Sequence, residues 1–145
     1  MKVERSIEIA ASPDDVYDVV MDPARLGDWV TVHESLEHAP DGILERGDEL
    51  AQKLKVAGQG FKVTWKVSKA DRPRDVEWDG RGPMGTKARV SYDLEPRSGG
   101  TCFNYVNEYE LPGGPLGKIG AKAFQRTAAK EADRTLVKLK GLLEH

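Results

Sequence analysis

The C-terminal part of the chain carries a long amphipathic pattern. Apolar residues recur there at helical spacing, and charged residues occupy mostly the opposite side. A helix over residues 116–143 would extend roughly 42 Å, since each residue adds about 1.5 Å. Only a large sheet can cover so long an apolar stripe. The recurring positions are Leu116, Ile119, Ala123, Phe124, Thr127, Ala128, Ala132, Leu136, Leu139 and Leu142.

The middle of the chain has the pattern of such a sheet. Alternating apolar and polar residues predict six strands, separated by turns rich in glycine and proline. Short connections of this kind favour antiparallel neighbours over crossover units. The predicted strands cover residues 30–38, 48–57, 61–70, 75–81, 86–95 and 101–111.

The N-terminal part adds one strand and two short helices. Residues 3–9 alternate like a strand with one buried face, Ser12-Pro13 has the cap and first residue of a helix, and residues 24–29 suit a second helical turn. This element order predicts an α+β fold, a curved seven-stranded antiparallel sheet wrapped around the long C-terminal helix. A sheet bent around a helix along one edge leaves a gap at the other, so we expect an internal cavity.

Composition limits the classes of function. We interpret residues 1–143 as one domain and residues 144–145 as the remnant of a vector-encoded histidine tag. The net charge of −2 gives no electrostatic reason to expect nucleic acid as a partner. The apolar runs are only a few residues long, so we expect no integral membrane association. The chain begins without the apolar core of a signal peptide, and we therefore expect a cytoplasmic protein.

No motif predicts a metal or a cofactor. The stretch LPGGPLGKIG at residues 111–120 resembles a phosphate-binding loop, but Pro112 and Ile119 occupy positions where that loop needs glycine and serine or threonine. We predict instead that Gly117 and Gly120 let the helix approach the sheet closely or flex at a pocket entrance. His33 is the one histidine that we keep as a candidate acid or base, beside a structural role.

Both ends of the chain resemble a known family. The opening VERSIEIAASPDDVYDVVMDPARLGDW and the closing YELPGGPLGKIGAKAFQRTAAKEADRTLVKLKGLL resemble the SRPBCC superfamily, also called START or birch-pollen-allergen-like. The similarity is to its polyketide cyclase/dehydrase and lipid-transport branch and covers the whole chain in element order. It implies the helix-grip fold and a deep hydrophobic pocket for lipids, polyketides or other apolar small molecules. It does not imply catalysis, because many relatives only bind or carry ligands.

Polar residues on apolar strand faces indicate where a ligand would bind. Arg5, Gln52 and Asn107 interrupt otherwise apolar alternations, and a buried polar group without a partner costs about 1–3 kcal/mol. Each must bond internally, reach solvent or face a ligand. The aromatic residues either line the same pocket or simply pack against the helix. The predicted ligand-binding residues are Asn107, Tyr92, Tyr105, Tyr109, Trp65, Trp78, Gln52 and Arg5, with Asn107 the strongest candidate.

Three functions remain open at this point. The first is a module that binds a hydrophobic or aromatic small molecule, as a monomer or homodimer. The second is an aromatase/cyclase-type enzyme in which tyrosine or arginine side chains polarise a poly-β-keto chain, and the third is a protein-interaction module. Binding ranks first because the predicted interior offers few titratable groups for acid–base work: Arg5, the tyrosines and His33.

Overall fold

A computed structural model of the protein describes residues 1–110 and 115–144, with the backbone alone at residues 115–119 and 121. The strands are β1 Lys2–Ile9, β2 His33–His38, β3 Glu49–Val56, β4 Gln59–Asp71, β5 Asp75–Arg81, β6 Lys87–Arg97 and β7 Gly100–Glu110. The helices are α1 Pro13–Val20, α2 Leu26–Trp29 and α3 Pro115–Leu143.

The strands form one antiparallel sheet in the order β1-β7-β6-β5-β4-β3-β2. This curved sheet, α3 and the short helices after β1 make up the predicted helix-grip fold, which is confirmed. The predicted start of α1 is also confirmed, since Ser12 Oγ accepts a hydrogen bond from the Asp15 amide and Pro13 opens the helix.

The C-terminal half of α3 is packed closely against the rest of the molecule. Ala132, Leu136 and Leu139 are buried against α2 and the inward side of the sheet. Thr135 is buried too, and its hydroxyl accepts a hydrogen bond from the Thr31 amide at 3.1 Å. This half of the helix therefore forms the closed end of the fold.

Several predicted strand boundaries differ from the structure, and two of the differences have a clear physical cause. β2 begins at His33, not at residue 30, because the Val30 amide closes α2 and Thr31 bonds to α3. β6 continues through Pro96 to Arg97, although we ended it at residue 95. Proline is tolerated there because β5 pairs with β6 only as far as Asp93, so no strand on that side needs its missing N–H.

The Glu144 side chain takes part in the packing of the C-terminal end. Its Oε2 accepts hydrogen bonds from the Ala10 amide at 2.7 Å and from Lys140 Nζ at 2.6 Å. These bonds connect the end of α3 to the segment that precedes α1. Glu144 is one of the two residues that we interpreted as a tag remnant.

Truncating α3 at its closed end should destabilise the protein. We expect Leu136→Ala to lower the free energy of unfolding by about 2–5 kcal/mol, because it removes apolar contacts and leaves a cavity. The adjacent Val137 is 65% exposed, so Val137→Ala should change the free energy of unfolding by no more than about 0.5 kcal/mol. Urea denaturation of both variants measures the difference, and equal effects would contradict the packing described here.

Candidate functional site

The inward face of the sheet is not covered evenly by α3. Towards the closed end its apolar side chains are fully buried, as Leu94 and Phe103 are. Towards the N-terminal half of α3, several inward-facing side chains remain half-buried instead. These are Leu54, Phe61, Ala88, Tyr105 and Asn107 on the strands and Phe124 and Ala128 on the helix. As far as the described residues extend, the helix and the sheet therefore do not close completely over this region, which we call the open end.

Strand register places Asn107 and Trp78 in one row across the sheet. Asn107 pairs with Val90 on β6, and Val90 pairs with Trp78 on β5. Adjacent strands lie about 4.8 Å apart, so the backbones at Asn107 and Trp78 are about 10 Å apart. Val90 lies between them, and its smaller apolar side chain forms the floor of the row. The Asn107 amide and the Trp78 indole N–H therefore belong to the two residues that flank this floor.

The aromatic side chains of this region contact one another edge to face or in stacks. The Trp78 ring lies 6.0 Å from Trp65 and 5.9 Å from Tyr92, measured between ring centroids. Tyr92 in turn stacks on Tyr105 at 6.0 Å. Rings at such distances attract one another and form rigid, apolar walls. The structure thus brings four of the predicted ligand-binding residues into one cluster.

Two indole N–H groups in the interior have no hydrogen-bond acceptor among the described residues. They belong to Trp78, which is 2% exposed, and to Trp29 on α2, which is fully buried. A buried donor without a partner costs about 1–3 kcal/mol. The interior of this protein therefore holds hydrogen-bonding capacity that its own side chains do not use.

Asn107 and Tyr105 form a polar pair at the open end. Asn107 Nδ2 donates a hydrogen bond to the Tyr105 hydroxyl oxygen at 3.4 Å. Burial raises the pKa of Tyr105 to about 12, and burial also raises the pKa of Tyr92 well above its ordinary value. Both hydroxyls are consequently protonated at neutral pH. Since the Tyr105 oxygen already accepts from Asn107, its hydrogen is available for a further acceptor.

Gln52 connects the aromatic cluster to His33. Its Oε1 accepts a hydrogen bond from Trp65 Nε1 at 2.9 Å, so its amide nitrogen is the group that faces His33 Nδ1 at 2.8 Å. Because the amide nitrogen can only donate, Nδ1 is the acceptor and the proton of the neutral imidazole lies on Nε2. Burial lowers the pKa of His33, which favours the same neutral form.

Comparison with known proteins identifies the family. The model of the family described as "Polyketide cyclase / dehydrase and lipid transport" matches residues 1–144. The chain belongs to this family. It is 33% identical over 132 residues to the Mycobacterium tuberculosis protein Rv1546 (strain H37Rv), covering 88% of this chain and 91% of that one. It is 23% identical over 126 residues to the toxin Rv0910 of the same organism, covering 86% and 88%.

A solved structure of similar fold belongs to an enzyme. The Zhui aromatase/cyclase from Streptomyces sp. R1128 superposes with a TM-score of 0.81, at 16% identity, over 99% of this chain and 93% of that chain. At such low identity the likeness concerns the fold alone. In the present protein, the aromatic cluster and the open end lie between the sheet and α3.

Two of the predicted ligand-binding residues contact α3 directly. Arg5 Nε lies 2.6 Å from Asp133 Oδ1 on the helix, so its charge is engaged in an ion pair at the surface between helix and sheet. Tyr109 packs edge to face on Phe124 at 5.1 Å and donates to Gln125 Oε1 at 3.4 Å. These two side chains connect α3 to the sheet. Arg5 pairs in register with Tyr105, and Tyr105 also packs against the apolar cluster that contains Tyr109.

The predicted entrance glycines lie at the beginning of α3. Nothing described lies within 4 Å of the point where a Cβ on Gly120 would stand, so this glycine makes no close approach to the sheet. The surroundings of Gly117, and residues 111–114 before the helix, lie outside the described residues. A role of these glycines in flexing at an entrance stays a prediction.

Sequence reasoning did not identify the residues of the open end that come from α3 or the bond between Gln52 and His33. Phe124 and Ala128 were assigned to the apolar stripe of the helix, and nothing in their spacing separates a covered turn from an uncovered one. The Gln52 bond joins residues 19 apart in the chain, and it depends on the irregular pairing of β2 with β3. No local pattern signals such a contact.

The opposite face of the sheet carries a groove of a different character. Its volume is about 870 Å³, and outward-facing side chains such as Lys66, Asp79 and Glu108 line it. Arg89 lies in the same groove and pairs with Asp79 at 3.0 Å. A lining of mixed charge does not suit an apolar ligand.

Two further features of the described residues bear on function. No group of three or more His, Cys, Asp or Glu side chains within them could hold a metal ion. Among the helices of the described ranges, none combines the length and apolar content that crossing a membrane requires.

The His33 environment predicts a dependence of stability on acid. Because burial lowers the pKa of His33 in the folded state, the unfolded chain takes up a proton first as the pH drops below the ordinary value of 6.5. The contribution of His33 to the free energy of unfolding is thus complete above pH 6.5 and decreases below it, through the lowered folded-state pKa. Urea denaturation at pH values from 7.5 to 4.5 measures this decrease.

Matched variants isolate the contribution of His33. His33→Gln should lose the part of the acid-induced decrease that begins near pH 6.5, whereas His38→Gln, at an exposed position, should keep the wild-type profile. Gln52→Glu should raise the pKa of His33 in an NMR titration, because a carboxylate accepts a hydrogen bond from the protonated ring. An unchanged profile in His33→Gln would contradict the lowered pKa of His33 as the source of the acid dependence.

Proposed function

We propose that this protein binds a hydrophobic or aromatic small molecule, lipid-like or polyketide-like, in the interior between the sheet and α3. The observation that carries the proposal is the open end of the fold. There, inward-facing apolar side chains such as Leu54, Phe61 and Phe124 remain half-buried although they face the interior. An apolar ligand would complete their burial and contribute about 25 cal/mol for each Å² of apolar surface removed from water.

The polar groups of the region support the same proposal. Small-molecule sites have mainly apolar walls with a few converging polar groups. Asn107, Tyr105 and the Trp78 N–H supply such groups beside the Val90 floor, whereas Gln52 orients Trp65. We further propose that the protein acts in the cytoplasm, as a monomer or homodimer.

A cyclase-type enzyme is the second candidate function. It is favoured by the likeness of the fold to the Zhui aromatase/cyclase and by Tyr105, whose hydroxyl remains protonated up to a pKa of about 12. A protonated phenol beside a ligand carbonyl can donate a hydrogen bond and stabilise the enolate that forms during cyclisation. Asn107, which donates to the same oxygen, would orient the phenol.

A protein-interaction module, the third function considered from the sequence, has less support. A large contiguous apolar patch on the surface would favour it. Within the described residues the exposed large apolar side chains are Met1, Ile43, Met84 and Val137. They lie on different elements, with Met84 in the β5–β6 turn and Val137 on α3, and such scattered residues are ordinary on a protein surface.

Filling the open end should weaken ligand binding. Ala88 is half-buried on the inward face of β6, and its neighbour Lys87 is exposed on the outward face. We expect Ala88→Trp to reduce the affinity for the fluorescent apolar probe N-phenyl-1-naphthylamine by at least about tenfold, since the new ring occupies ligand space. Fluorescence titration measures the affinity, and native mass spectrometry of freshly purified protein tests for a ligand acquired in the cell.

Lys87→Trp is the matched control. It adds the same ring to the outer groove and should leave the probe affinity unchanged. Loss of binding in Lys87→Trp but not in Ala88→Trp would place the ligand on the outer face and overturn the proposal. Ala88→Leu, with an intermediate effect, guards against misfolding of the larger variant.

The cyclase candidate makes its own prediction. Tyr105→Phe should lower kcat for the cyclisation of an aryl poly-β-ketone by roughly a hundredfold, the lower range for loss of a general acid. The affinity for the apolar probe should remain within about threefold of wild type, because most of the apolar surface is unchanged. Product formation followed by chromatography measures the rate, and no turnover by the wild-type protein would leave binding as the function.

A further inference from the structure

The hydrogen-bonding groups of the interior restrict the chemistry of the ligand. Resting on the proposed function, we infer that the ligand is uncharged and carries an acceptor oxygen, as in a ketone, quinone or ester. We infer further that the indole N–H of Trp78 donates a hydrogen bond to that oxygen. Trp78 thereby becomes a specificity-determining residue that separates oxygenated ligands from plain hydrocarbons.

The first argument is an excess of donors over acceptors. The Trp78 N–H is buried and has no acceptor among the described residues. Tyr105 is protonated, and its oxygen already accepts from Asn107, so it too has a hydrogen to donate. An acceptor oxygen on the ligand satisfies these groups, whereas an ammonium group brings only further donors.

The second argument is the lack of a charged partner. In the described part of the chain, the buried polar or charged side chains are those of Gln52, Thr101 and Thr135. Gln52 is occupied by Trp65 and His33, and Thr101 donates to the Ala11 carbonyl at 2.7 Å. Thr135 is bonded to Thr31.

Arg5 is the charged residue that the sequence pattern placed on this face, and it does not serve as a counter-charge for a ligand. Arg5 pairs in register with Tyr105, but its guanidinium is engaged by Asp133 on α3 and by the Glu4 carbonyl. A ligand carboxylate buried beside Trp78 would therefore lack a counter-charge, and such a burial is strongly unfavourable. The interior accordingly favours a neutral ligand.

The third argument separates Trp78 from the other unpartnered indole. Trp78 stands on β5, the central strand of the sheet, in the row that leads over Val90 to Asn107. Trp29 lies on α2 and packs edge to face on Tyr92 and on Phe103, and Phe103 is fully buried towards the closed end. Of the two donors, Trp78 is the one that shares its row with the half-buried Asn107.

The experiment compares the binding of two ligands of nearly equal shape to the wild type and to one variant. 2-Acetylnaphthalene carries a ketone, and 2-isopropylnaphthalene replaces it with a hydrocarbon branch. Calorimetric titration of wild type and Trp78→Phe with both ligands gives a thermodynamic cycle, which removes their difference in hydrophobicity. We expect Trp78→Phe to weaken the binding of the ketone by a factor that is roughly threefold to tenfold larger than for the hydrocarbon. This is the range expected for the loss of one neutral hydrogen bond.

Three controls complete the test. Trp29→Phe should weaken the binding of both ligands equally, because the Trp29 N–H does not reach the ligand. 2-Naphthoate at pH 7.5 should bind wild type at least about tenfold more weakly than the ketone, as expected for an unpaired buried charge. A readout without substitution is the indole ¹H–¹⁵N resonance of Trp78, which should move downfield with the ketone and not with the hydrocarbon.

The outcomes separate this inference from the proposed function. If neither naphthalene binds wild type, the proposed function and the inference both fail. If both ligands bind but Trp78→Phe weakens them equally, the inference fails and the binding function stands. Tighter binding of naphthoate than of the ketone, or a loss of ketone preference in Trp29→Phe alone, also overturns the inference. Should Trp78→Phe not fold, the indole resonance decides between these results.

Discussion

The structure depends on how one long amphipathic helix is covered. The apolar side of α3 can be removed from water only by a sheet wide enough to curve around it, and the seven antiparallel strands form that sheet. Cover is complete where Leu136 and Leu139 meet α2 and the sheet, and incomplete around Phe124. The same packing constraint thus produces a closed, stabilising end and an open end with the features of a ligand site.

Polar groups in the interior follow the same division. Thr135 at the closed end and Gln52 beneath the aromatic cluster have hydrogen-bond partners, as buried polar groups generally do. The indole N–H of Trp78 has no such partner in the described ranges. Among the described residues the fold departs from this rule at two indoles, Trp29 on α2 and Trp78 in the middle of the sheet. Such departures are expected at functional sites.

Much of the fold was predictable because periodicity is a local property of a chain. The alternation around Trp78 and the helical spacing of Leu136 and Leu139 specified elements and buried faces before any contact was known. The same alternation treated Arg5 and Asn107 alike, as polar residues on an apolar face. The structure separates them, since Arg5 pairs with Asp133 on α3 whereas Asn107 bonds to Tyr105 at the open end.

The sequence by itself determined the order of elements, the inward face of each strand and the need for a large sheet against a long helix. Only the tertiary structure decided which inward-facing residues α3 covers, that Gln52 bonds to both Trp65 and His33, and that Trp78 finds no acceptor in the part of the chain that the structure describes. The reason is physical. Such contacts depend on strand register and on the position of the helix across the sheet, and both result from the packing of residues far apart in the chain.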